Sequence, residues 1–412
     1  MSSMETMIYK LSDVALKICD GVHNTVIDTP DGECYLLSAK NIKQGVINYD
    51  SGDRKIDLLT RNKLNKRTKL CKDDVVITTI GTIGEGAVVG EDCNKYEFQR
   101  SVGIIKPNIN FVLPYYLYYL LTSRSYNYYF HVLATGAAQP CIFLKTLNNL
   151  KVELPVLSVQ KKIVSILNNY DQLIKNNNKR IKILEYMAES LYKEWFVRFR
   201  FPGHETAEFE NGIPKGWEIK QLQDFGKIKT GKTPSTENKE YYGEDFLFVK
   251  TPDMHSNVII IDSNEKLSVL GDKSQKNCLI PPNSIMVSCI GTGGVSAINY
   301  YPAHTNQQIN SIILNQMNQL EWLYFQVKSM KEIIIMFGNT GSTMTNLSKG
   351  KFEKLKLLKP TDYLIESFSN ILKPILNLEA KYLLINQNLI KQRDLLLPRL
   401  MSGKLEIKTN EK

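Results

Sequence analysis

The chain repeats itself, and that limits its fold more than any single motif. The stretch TGAAQPCIFLKTLNNLKVELP runs from Thr135 to Pro155, and TGSTMTNLSKGKFEKLKLLKP runs from Thr340 to Pro360, aligned without a gap 205 positions apart. IGTIG at Ile80 answers IGTGG at Ile290, YLLSAKNI at Tyr35 answers LFVKTPDM at Leu247, and LSD at Leu11 answers LQD at Leu222. Four pairs in the same order mean tandem duplication, with an offset drifting from 211 to 205 as loops change length. The period is too long for a solenoid, so each copy is a domain. In each, short β-branched runs such as DDVVITTIG and NSIMVSCIG close on glycine and read as strands.

Each copy then changes character. Ile163, Leu167, Tyr170, Ile174, Asn177, Ile181, Leu184, Ala188, Leu191 and Trp195 are spaced alternately by four and three, an a/d seam. Asn177 interrupts it, either fixing register from a buried position or belonging to a solvated run of asparagines. From Ser158 to Phe196 this helix would be about 58 Å long at ~1.5 Å per residue. The second copy gives Leu364, Phe368, Ile371, Ile375, Leu378, Tyr382, Ile385, Leu389 and Leu396. Pro374 is expected to kink that helix or mark its start, and Pro398 and Gly403 to stop it. The fold class is therefore α+β: a strand-rich head and a long helix, twice, the two helices pairing as a coiled coil. The expected domains are 1–155, 156–200, 201–360 and 361–412.

Composition constrains the partners. The 412 residues carry 52 Lys and Arg against 42 Asp and Glu, a formal charge of +10, which suits a polyanion such as nucleic acid or, equally, a basic solubilising surface. Seven scattered cysteines form no C-x-x-C pair, and there is no H-E-x-x-H, so reduced thiols and no zinc site are expected. The N-terminal MSSMETMIYK has no apolar signal region, and no apolar run reaches a membrane span, which makes a cytoplasmic, membrane-free protein the expectation.

One motif argues for an enzyme. Gly226–Thr233 fits G-x-x-x-x-G-K-[ST], the P-loop pattern. Its surroundings do not fit: no buried apolar strand precedes it, Pro234 follows at once, and the aligned ALKICDGV of the first copy lacks G-K-T. A basic surface loop is the better reading. Methyltransferase, nuclease and duplicated His acid/base patterns are also missing. LIPPNSI lacks the flanking groups of a base-flipping motif, IGTGGV reads as a strand-to-strand turn, and TPDMHSN lacks a second carboxylate with lysine.

The segments ESLYKEWFVRFRFPG (Glu189–Gly203), NGIPKGWEIKQLQDFGKIKTGKTPS (Asn211–Ser235) and LIKQRDLLLPRLMSGKLEI (Leu389–Ile407) resemble the conserved regions of the specificity (S) subunit of type I restriction–modification systems. The likeness covers nearly the whole chain, although the first head lacks the P-x-G-W opening and begins at YKLSDVA. It implies two target-recognition domains, each reading half of a split double-stranded DNA target, and paired antiparallel helices that set the gap. It also implies docking of two methyltransferase (M) subunits, joined by restriction/translocase (R) subunits. By the same likeness this subunit has no catalytic site, metal or cofactor of its own, while S-adenosylmethionine, ATP and Mg belong to the partners. The alternatives are a coiled-coil scaffold with two protein-binding heads, or a nucleotide-binding protein using Gly226–Thr233.

DNA contacts are expected on head loops. The candidates are Lys40, Asn41, Lys43, Arg54, Lys55 and Arg100 in the first head, and Lys229, Lys232, Thr233, Ser235 and Lys250 in the second. Trp195 and Phe196 read as helix-end core. The tyrosine-rich PYYLYYLLTSRSYNYYF reads as a helix packed on the sheet rather than a base-stacking platform.

Overall fold

The computed structural model describes residues 5–134, 140–255, 257–339 and 345–405. The Thr135–Gly136 and Thr340–Gly341 openings of the repeat lie outside the described residues. The chain forms two compact units, one of residues 1–173 with 389–412 and the other of residues 174–388.

In the first unit a four-stranded antiparallel sheet is ordered Ala15–Asp20, Val102–Pro107, Val75–Thr78, Gly86–Val88. Ile104 faces Cys19 on one side and Val76 on the other. The two inner strands of this sheet are buried on both faces and read as nearly continuous apolar runs, while the edge strand Ala15–Asp20 leaves Leu16 72% exposed. Val75, Ile77 and Ile105 point into a core with the helices Pro114–Leu121 and Arg124–Leu133, while Val76, Val102 and Ile104 meet Leu37 and Phe98. A three-stranded sheet, Lys55–Ile56, Cys34–Leu37 and Tyr96–Phe98, covers this second face, with Leu36 parallel to Glu97. Thr6–Lys10 and Lys151–Pro155 close the head as an antiparallel pair.

The second unit repeats this plan. Gly226–Thr230, Ile309–Leu314, Ile285–Ser288 and Ser296–Asn299 form the main sheet, extended by Ile259–Ile260 at the edge. The small sheet is Glu265–Leu267, Tyr242–Val249 and Ala303–Thr305, again with one parallel pair, Phe248 beside His304. Glu218–Gln221 pairs Lys356–Lys359 as the closing ribbon. Details recur as well. The backbone N–H of Lys10 donates to Asp13 at 3.1 Å, and that of Gln221 to Asp224 at 2.8 Å. Both glycine pairs of IGTIG and IGTGG turn between strands, with φ from +78° to +90° at Gly81, Gly84, Gly291 and Gly294.

The long helices are Leu157–Tyr192, widened into a π turn over Lys193–Val197, and Asp362–Met401. In the second unit they run antiparallel: Asn177 contacts Asn386, Arg180 lies 5.5 Å from the Tyr382 ring centre, and Tyr192 packs edge-on against Phe368 at 6.3 Å. In the first unit Arg393 donates to Asp171 at 2.7 Å, while Ile163, Leu167 and Leu400 share one core.

The first helix keeps the expected seam, with every named position buried or half-buried. The second does not. Ile371, Leu378 and Ile385 are 45%, 40% and 45% exposed. The inward series is Leu372, Leu376, Glu379, Leu383, Asn386, then Arg393, Leu397 and Leu400, shifted from the expected one because polar residues occupy it every seventh place. Neither Pro374 nor Pro398 breaks the helix. Pro374 and Asn370 both face outward, so the carbonyl that loses its N–H partner is open to water. The chain leaves the helical path only after Met401, where Gly403 has φ +67°.

Candidate nucleic-acid interface

The Gly226–Thr233 stretch has the wrong structure for a phosphate cradle. Its first five residues are a strand, not the loop expected, and pair with Asn310–Leu314. The N–H of Gly231 donates to Ile309 O at 3.1 Å, and that of Lys232 to Thr305 O at 2.9 Å. These are the amides a P-loop would turn toward phosphate, and here they are spent on the sheet. Glycine is required at 226 and 231 by crowding: an added Cβ would lie 2.3 Å from Ile313 O and 2.2 Å from Thr305 Oγ1. The next helical turn is only the 3₁₀ segment Lys239–Tyr241.

The other candidates separate into those held by the fold and those facing solvent. Asn41 is buried, accepts from the N–H of Ser38 at 3.0 Å and donates to Asn48 O at 3.0 Å. Its amide shapes the turn after the central strand, so it is not the surface reader expected. Arg54 is held by Asp28 and Val26 O at 2.7 Å each. Lys229 is half-buried and donates to Leu279 O at 2.9 Å, and Thr233 donates to Gln307 at 2.7 Å. Lys250 pairs with Glu265 and lies over the Phe248 ring at 5.3 Å. Lys40 pairs with Asp53 at 2.9 Å yet stays exposed. Lys55 is half-buried on its strand, and Lys43, Arg100, Lys232 and Ser235 are exposed. Lys40, Lys43, Lys232 and Ser235 lie on or beside the turns that follow head strands, where a duplex could reach them.

Trp195 and Phe196 are core, 6% and 7% exposed, packed with Phe368. The tyrosine-rich segment forms the two helices on the first sheet, and its Tyr116 and Tyr119 are almost wholly buried. Tyr119 donates to Asp171 at 2.5 Å, so that carboxylate serves both Tyr119 and Arg393.

Sequence reading passed over one basic element. The helix Leu58–Thr68, LLTRNKLNKRT, has four cations and no acid. Its charge run was the available signal. Arg61, Asn65 and Thr68 on its inner face converge on Glu97 of the neighbouring strand, at 3.8, 2.6 and 2.9 Å. Glu97 is completely buried, and desolvation pushes its carboxyl upward against the hydrogen bonds from Asn65 and Thr68 and the charge of Arg61. The same strand position in the second unit is His304, also completely buried, 2.9 Å from Asp272 on the helix Val269–Ser274.

Two strand-rich heads of one topology, each followed by a long helix, make this a protein of bipartite design. The family described as Type I restriction modification DNA specificity domain matches residues 5–186 and again 214–381, and the chain belongs to it. The Type I restriction enzyme HindI specificity subunit of Haemophilus influenzae is 31% identical, the match covering 78% of this chain and 84% of that protein. The MjaIX specificity subunit of Methanocaldococcus jannaschii is 26% identical over 84% of this chain and 82% of its own. The type I restriction–modification S subunit from M. genitalium shares the fold, with a TM-score of 0.56, 15% identity and 97% of both chains covered. The chain is thus a specificity subunit, a recognition protein and not an enzyme.

Proposed function

We propose that each unit reads one half of a split duplex target, and that the paired helices hold the gap and seat two methyltransferase subunits, to which restriction subunits join. S-adenosylmethionine, ATP and Mg then act on those partners, and the assembly works in the cytoplasm. Among the described residues no helix is long and apolar enough to cross a membrane. The observation that carries the reading is the duplicated topology, two complete heads each with its own main sheet, small sheet and closing ribbon. Recognition divides between phosphate contacts that fix position and base-edge contacts that carry sequence. Exposed Lys43, Arg100 and Lys232 suit the first role.

Exchange of residues 1–150 for the matching head of a relative tests this. The methylated motif, read by genome-wide methylation sequencing, is expected to change in one half only. A stable chimera that loses both halves would show that the heads do not read independently. A scaffold with protein-binding heads would leave methylation untouched in either half.

A further inference from the structure

The helix Leu58–Thr68 is held with unusual care. Asp57 caps its start, accepting from Thr60 N–H at 2.7 Å, and Arg67 anchors its end on Asp20 and on Gly21 O. Between them the hydrogen bonds of Asn65 and Thr68 to Glu97, with Arg61 donating to Cys93 O beside it, fix its rotation. Helical geometry places Leu59, Lys63 and Lys66, spaced i, i+4 and i+7, on the face opposite Arg61, Asn65 and Thr68, with Asn62 at its margin. All four are exposed, Leu59 by 75%. Lys63 and Lys66 have no ion pair among the described residues, whereas nearby Lys72 and Lys106 each pair with a carboxylate at 2.6 Å.

A surface helix needs only apolar contacts to stay docked. Burying a carboxylate to hold it costs desolvation and is compensated only by good geometry. The second unit accepts a similar cost at the same strand position with opposite chemistry, an imidazole against a helix carboxylate. What the two heads share is the fixed joint between helix and strand, not the groups that make it. Fixed orientation matters most for an element that must meet a rigid ligand.

We propose that the helix Leu58–Thr68 is the first head's duplex-contacting element, with Lys63 and Lys66 on phosphates, Asn62 at a base edge, and Glu97 as the positioning residue. This rests on the DNA-reading assignment above and names the surface that performs it. An eleven-residue helix is about 16 Å long, and the major groove, ~12 Å wide, admits a helix of this kind. Leu59 supplies an apolar contact of the sort a thymine methyl offers.

The test uses the full chain assembled with its methyltransferase partner, bound to a duplex carrying its methylated motif over a range of salt. In Lys63→Ala/Lys66→Ala the slope of log K against log salt is expected to fall by roughly two, at ~0.9 per phosphate, with the melting temperature unchanged. Asn62→Ala is expected to relax one position of the half assigned to the first head. Glu97→Leu is expected to relax that half while leaving the other intact, and Glu97→Gln to preserve both. A fold defect alone would not loosen one half selectively. If Glu97→Leu fails to fold, the lysine pair, being exposed, still decides the matter. An unchanged salt slope with an intact motif in the lysine variant would overturn the proposal and leave the DNA-reading assignment standing. A wild-type complex that methylates no defined motif would instead remove the assignment itself.

Discussion

Glu379 is completely buried on the second long helix, one oxygen accepting from the N–H of Ile259 at 3.2 Å and the other without a partner. Glu185 of the first helix accepts from the adjacent Val258 N–H at 3.1 Å. Burial first, and the like charge of Glu185 second, push the Glu379 carboxyl up to about 8, against the hydrogen bond from Ile259 and the charge of Lys182. An unfolded glutamate titrates near 4.3, so the folded chain holds a proton that the unfolded chain has lost. The burden is therefore absent below about pH 4, grows as pH rises toward 8 and is complete above it. Glu379→Gln, which keeps an acceptor without a proton to lose, should gain on wild type as pH rises, by on the order of a few kcal/mol at pH 9. Urea midpoints of both proteins at pH 5 and pH 9 measure it, and an equal gap at the two values would mean that Glu379 is ionised in the fold at both.

At the scale of elements the helix seam carries a polar layer. Asn177 donates to Asn386 at 2.8 Å, and Asn386 to Asn178 at 2.8 Å, settling the choice at Asn177 in favour of the buried position. Asn386→Leu leaves the Asn177 amide buried and unpaired and should cost ~1–3 kcal/mol. Asn177→Leu/Asn386→Leu removes both polar groups and should restore the loss or exceed it. Denaturation midpoints of the single and double variants check this, and a double variant as weak as the single would mean that the pair does more than satisfy itself. The same layer shows what sequence could tell. The first seam was legible because its apolar residues keep period, with a lone Asn. The second was misplaced because Glu379, Asn386 and Arg393 occupy inward positions, and an apolar count drifts to Ile371, Leu378 and Ile385 on the surface. The strands of both heads were legible from β-branched runs and their closing glycines. The site was less so. The spent amides at Gly231 and Lys232 and the grip on the Leu58–Thr68 helix depend on residues far away in sequence, which no local pattern encodes.

For the molecule as a whole, the helices are the element whose length recognition should feel. Four residues inserted beside Asn177 lengthen the first helix by ~6 Å. Duplex DNA rises ~3.4 Å per base pair, so the gap in the methylated motif should widen by roughly one or two pairs while both half-sites stay the same. The partial turn added to the seam should also cost some stability. Methylation sequencing of cells carrying the insertion reads the gap, and an active variant with the old gap would restrict the helices to docking. A different consequence follows from the paired joints at Glu97 and His304. Each joint closes within its own head, so a recombination event that moves a whole head carries both complementary groups with it. An event with its crossover between helix and strand does not. It would set Asp272 against Glu97, two buried acids with no cation between them, or Arg61 against His304. New specificities should therefore arise in this lineage by inheritance of intact heads, with breakpoints tolerated outside the joint and purged within it.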